Sequence, residues 1–366
     1  MTPRVVAVNV VAGQAAKSDQ VFRIDPRSGK IVTIKGRVEQ HGLERVVITR
    51  RDDKEGRYDT SEIVEVIFGD VPPAFTEARR YLARGDFESS VARFRVAAGD
   101  ASARPVVQGR ARLGAAEALM EWGATDPTRF REAAEEAERF ISSFADDRNI
   151  PVARALLGRA QVLAGEGAKG AATLEALFKT GQAGTLGYPR TLTLQAGLDG
   201  TNAYLAAGKV AEARALSDEL VSALAAVSRD GMDAAALAHL DALTEVASLN
   251  TGFISLAENK GDRAESAFRA QVVALKTNAG RNAARLGLGE SLLQQSKYRE
   301  AMLVLAAASA LTYTSPDREA RAQLGLGLAY RGLGQASDAK ACLERVQRVY
   351  GATPAAALAA EALKTL

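Results

Sequence analysis

The chain has 366 residues, a formal net charge of +3, 47% hydrophobic and 25% charged residues, and only 5% aromatics. Those values fit a folded protein of one elongated array or two domains, and they exclude a disordered or fibrous chain. Basic and acidic residues alternate along the chain without a basic run, so the composition does not point to nucleic acid; the single cysteine, Cys342, excludes an intramolecular disulfide.

Residues 1–72 read as a small β-domain. Val5–Ala12 is valine-rich, too short for a membrane span and interrupted by Asn9, and it reads as a strand over 4–11 rather than a secretion signal. Further strands are expected at 20–25, 30–39, 44–51 and 63–68. Gly42 marks a hairpin turn, and Asp52-Asp53-Lys54-Glu55-Gly56 marks a second, solvated turn.

From residue 73 the pattern becomes helical and repeats itself. The last unit is the clearest: Leu326-Gly327, then Tyr330, Gly334, Ala339 and Leu343. Gly327 and Tyr330 share one helical stripe, and a glycine there leaves room for a closely crossing helix. Gly334 can take the left-handed conformation that ends a helix. The same frame recurs with its small residue near 78, 114, 158, 201, 254, 289 and 327, giving seven units. Pro105, Pro316 and Pro354 fall 27 residues after three of these positions and suit the first turn of a helix. A long helix is expected from about Met232 to Asn259, and a terminal capping helix over 354–365.

These residues resemble the tetratricopeptide repeat, whose unit is 34 residues. Gln323 departs from it, standing where the family has a large aromatic. The order Gly36-Arg37-Val38, Val46-Val47-Ile48, Ser61 to Val66 resembles the SH3-like or Sm-like barrels that precede helical repeats in some bacterial envelope proteins. The resemblance implies a mainly α, right-handed superhelix of about seven hairpins over 73–366 behind a small all-β barrel. It also implies a protein-binding groove lined by the first helix of each repeat. Mapped onto this sequence, its candidate residues are Arg79, Arg159, Asn202, Leu205, Glu290, Gln294, Arg321, Leu328 and Arg331. A carboxylate clamp is not supported, because Leu198 stands where the lysine facing Asn202 would be.

Enzyme chemistry finds no footing. The two histidines, His41 and His239, are far apart in sequence, and neither has an evident partner. Gly165 to Gly170 matches GxGxxG, but between two helices rather than a strand and a helix. No cofactor, metal or small-molecule substrate is expected. The resulting expectation is a non-enzymatic scaffold binding protein, with itself as one possible partner. The alternatives are a self-associating envelope component, and RNA binding through the Sm-like segment. A cytoplasmic location is expected, with the periplasm as the alternative if a secretion signal preceded this sequence.

Overall fold

The computed structural model describes residues 18–50, 52–310, 316–351 and 353–366; the strand expected at 4–11 lies outside them. The N-terminal part is a five-stranded antiparallel sheet: β1 Asp19–Ile24, β2 Ile31–His41, β3 Arg45–Arg50, β4 Glu55–Asp59 and β5 Ile63–Ile67. The spatial order is β4-β3-β2-β1-β5. Gly42 does lie in the β2–β3 hairpin.

Two expectations need correction. Among the described residues β4 and β5 do not pair with each other, so the sheet is open rather than a closed barrel. Glu55 and Gly56 belong to β4, not to a turn. In that short edge strand only Gly56 and Tyr58 are buried, so its sequence carries no hydrophobic alternation.

Fifteen helices follow among the described residues. They are α1 Pro73–Ala83, α2 Phe87–Ala98, α3 Pro105–Trp122, α4 Arg129–Ser143, α5 Ile150–Leu163, α6 Gly167–Gln182, α7 Arg190–Ala206 and α8 Val210–Ala225. After these come α9 Ala234–Ala257, α10 Gly261–Ala274, α11 Asn278–Gln294, α12 Tyr298–Ser309, α13 Pro316–Gly332, α14 Ala336–Val349 and α15 Pro354–Lys364. They form seven consecutive helix–turn–helix pairs and one final helix. Pro105, Pro316 and Pro354 each open a helix, where a missing N–H costs nothing. The chain divides into two compact units, Met1–Ala196 and Gly197–Leu366.

The small residue of each pair has a packing cause. A Cβ at Gly158 would lie 2.6 Å from Leu174, and one at Gly327 2.9 Å from Leu343. In both cases the large residue sits sixteen positions later, on the second helix of the pair. The same offset links Gly252 to Phe268, where a Cβ would lie 2.6 Å from the ring. The fifth register position is therefore Gly252, not the expected Ile254. Ile254 is fully buried and mimics the slot, while the 24-residue α9 hides its own phase. Gly334 has φ +74°, as its turn requires. In the fifth pair Asn259, with φ 57°, takes that role.

In the first unit a buried ion pair joins the sheet to the helices. Asp19, 1% exposed, receives two hydrogen bonds of 2.7 Å from the Arg104 guanidinium. Its carboxylate also accepts from the backbone N–H of Val38 at 2.7 Å and of Gly69 at 2.8 Å. The Asp19 hydrogen bond raises the Arg104 pKa, against the opposing effect of burial. Around this pair Val21, Val38, Val46, Ile48 and Ile63 pack with Val107 of α3. The sheet thus rests on the second helical pair.

A second tie lies at the α4–α5 loop. His41 Nδ1 donates to Asp147 at 3.1 Å, the Leu43 N–H donates to the Asp146 carbonyl, and the Arg148 N–H donates to the His41 carbonyl. The sequence offered no partner for His41; Asp147 lies 106 residues away and only folding brings it close.

In the second unit, Arg214 of α8 holds Glu258 at the end of α9 with bonds of 2.9 and 3.2 Å. Arg214, and then Lys260, lower the Glu258 pKa to about 2 against the effect of burial. Lys297, with Arg269 and Gln295, lowers Glu265 to about 2 in the same way.

Two outcomes are expected. Asp19→Ala strands the Arg104 charge inside the protein and should cost about 3–5 kcal/mol in urea unfolding of the first unit; an unchanged midpoint would contradict this. The second concerns pH. A free glutamate titrates near ~4.3, so carboxylates depressed to about 2 stabilise the fold above that value. This contribution is lost as pH falls from the unfolded toward the folded pKa. Urea midpoints of the second unit should therefore drop between pH 5 and pH 2, and the combined Glu258→Gln and Glu265→Gln variant should flatten that slope.

Candidate functional site

The second unit carries an open groove of about 570 Å³, built from the first helices of successive pairs. Its walls come from α7, α9, α11 and α13, so each contributes the side chains that flank its small residue. Val246, Leu249, Phe253, Leu256 and Ala257 of α9, six and three positions before Gly252 and one, four and five after it, all line the groove. The two-residue error at Ile254 is what hid them from the sequence reading.

Four of the nine expected residues meet here: Asn202, Leu205, Glu290 and Arg321. Asn250 donates its side-chain N–H to the Asn202 oxygen at 2.9 Å. Arg321 makes a two-pronged pair with Glu290 at 2.9 and 2.6 Å and stacks over the Phe253 ring at 5.4 Å. Burial works against the Arg321 charge, but Glu290 outweighs it and the pKa is raised. The neighbouring Arg318, half-buried, makes no ion pair among the described residues. The groove thus offers an apolar floor, an amide pair, a neutralised arginine and one uncompensated cation.

The other five lie elsewhere. Arg79 is exposed on α1, and Arg159 lies on α5, both in the first unit. Gln294 donates to the Leu256 carbonyl at 2.8 Å. Leu328 packs against a buried cluster drawn from α13, α14 and α15, and Arg331 donates to the Thr365 hydroxyl at 2.9 Å. Leu198, Leu286 and Leu324, on the same first helices, are buried core residues.

Other sequence features resolve as packing. The GxGxxG run spans the α5–α6 turn, with Gly165 at φ +89°. Trp122 ends α3 under the Arg129 guanidinium, 4.0 Å from the ring centre. Cys342 is half-buried in α14, and burial raises its thiol pKa. Among the described residues no three His, Cys, Asp or Glu side chains gather as a metal site, and no helix is long and apolar enough to cross a membrane.

No family model matches the sequence, and no curated protein does. Solved structures do resemble the fold. A tetratricopeptide repeat protein from Parabacteroides merdae aligns over 80% of this chain and 96% of its own, at 11% identity and a TM-score of 0.57. BtubC (BKLC) from P. vanneervenii aligns over 68% and 92%, at 16% identity and a TM-score of 0.41. NprR in complex with its cognate peptide NprX aligns over 74% of each chain, at 12% identity and a TM-score of 0.40. Taken with the recurring small residue and its partner sixteen positions on, the Parabacteroides match establishes that this chain has the tetratricopeptide-type helical-repeat fold behind an open five-stranded sheet.

Proposed function

We propose that the chain is a non-enzymatic interaction scaffold and that the groove of the second unit is its recognition surface. The observation that carries this is the convergence of Asn202, Leu205, Glu290 and Arg321, drawn from three helices, on one open groove with an apolar floor. A repeat array gains its core by stacking neighbours, and what remains on the first helices is free to meet a partner.

The chemistry of the groove favours a peptide segment with one apolar face. Val246 is 36% exposed, and Leu205 and Phe253 are half-buried, so all can gain burial against such a face. Arg321 already has Glu290 and adds little net charge. Arg318 does not, so an acidic side chain of the partner would pair with it. On this reading residues 73–366 form the interaction array, with 354–365 covering its last pair. Residues 1–72 serve as an N-terminal cap seated on the second pair.

The test is a site-specific photo-crosslinker at Ala257, compared between the parent protein and Arg318→Glu, Val246→Asp. Both substitutions are at accessible positions, so the fold should survive. The same partner should be captured by the parent and lost by about tenfold or more in the variant, the scale of an interface hot spot. Equal capture would remove the groove from recognition. Capture of nothing, with light scattering also giving a monomer, would contradict the scaffold reading itself.

A further inference from the structure

A second cavity, of about 680 Å³, lies within the first unit where the sheet meets the helices. One wall is the run Thr60–Val66, which includes most of β5, an edge strand of the open sheet. The lining also includes residues at the starts of α5 and α7.

Two of the ionic pairs at this cavity are satisfied within the protein. The His41–Asp147 pair is closed on itself, and the other Asp147 oxygen accepts from the Asn149 N–H at 2.7 Å. Arg110 and Glu117 satisfy each other through two bonds of 3.0 Å. Arg148 has no such carboxylate among the described residues. Its guanidinium donates to the Ile63 carbonyl, and its buried Nε has no hydrogen-bond partner among the described residues. Burial lowers the Arg148 pKa, with Asp147 opposing, whereas Arg104, which has its own carboxylate, is raised. A cation held this way lacks a counter-charge that a ligand could supply. Glu65, exposed on β5, is a lining carboxylate without an ion pair among the described residues, and it would disfavour a second anionic group at that point.

The same cavity exposes apolar surface. Val64 is 49% exposed and Val152 is 39% exposed, and both line it. Isolated exposed valines need no explanation, but here two share a cavity with a half-buried arginine that has no ion pair among the described residues.

We propose that this cavity binds the carboxylate end of an apolar chain. The carboxylate meets Arg148, and the apolar part covers Val64 and Val152. The edge position of β5 favours an extended peptide C-terminus as the source, because an edge strand can accept main-chain hydrogen bonds. A small apolar acid carries the same chemistry, so the test separates the two. This inference is independent of the groove in the second unit.

The experiment is calorimetric titration of the full chain at pH 7 with three probes: acetyl-Ala-Val-Leu-Val as the free acid, the same peptide as its C-terminal amide, and octanoate. The acid should bind, and the amide should bind about tenfold more weakly or worse, as the loss of a charge-assisted bond implies. Arg148→Gln should erase the difference between acid and amide. Because Arg148 also supports Ile63, a second variant guards against misfolding: Val152→Glu, on an exposed helix position, should weaken the acid peptide by a similar factor while the circular dichroism melt is preserved. Octanoate binding as tightly as the peptide would keep the carboxylate site and overturn the peptide as its source. Equal binding of acid and amide, or none by either acid, would overturn the proposal.

Discussion

The Asp19–Arg104 ion pair is the contact on which the arrangement of the first unit depends. Four hydrogen bonds reach one buried carboxylate, from β2, from the segment after β5 and twice from the residue before α3. A buried pair of this kind adds little net stability, because desolvation offsets most of the attraction. What it adds is a unique position. Moving the sheet away from Arg104 would leave that carboxylate with only its two backbone donors, so the pair favours this docking. The loop contact at His41 and Asp147 fixes the last residue of β2, three positions beyond Val38, and the cavity walled by β5 and the start of α5 lies beside those two attachments.

In the helical pairs the equivalent constraint is steric. A residue without a side chain on the first helix meets a large residue sixteen positions later on the second, as at Gly158 with Leu174 and Gly327 with Leu343. That contact fixes the rotation of the first helix. Its rotation decides which side chains face the groove, so the packing glycine and the groove residue are two consequences of one phase. At Gly252 this link is direct, since the phase that seats Phe268 also turns Val246, Leu249 and Phe253 into the groove.

Much of the fold was legible because its signals are local. Prolines at helix starts, left-handed glycines at turns and the recurring small residue each act within a few residues, and seven pairs could be read from them. Legibility failed where the signal was not local. Strand β4 carries only two inward positions, one of them Gly56, so it shows no alternation. Closure of the sheet depends on two edges meeting, which no short window encodes. In α9 a fully buried Ile254 sits beside the true register position and outweighs it in a hydrophobic pattern. His41 and Asp147 are 106 residues apart, and the isolation of Arg148 becomes visible only once Asp147 is seen to be occupied elsewhere. Of the nine expected groove residues, four from α7, α11 and α13 came together, whereas Gln294 turned to the Leu256 carbonyl, Leu328 joined the cluster that contains α15, and Arg331 bonded the residue after it.

Native-state hydrogen exchange is the most direct measurement of the central claim, that sheet and helices of the first unit are one cooperative structure held by buried polar contacts. The amides of Val38, Val46 and Ile48 should share a single opening free energy with those of Ala111 and Leu113 across a denaturant series. Sheet amides that open at markedly lower free energy while α3 stays protected would contradict it and leave the sheet a loosely attached appendage.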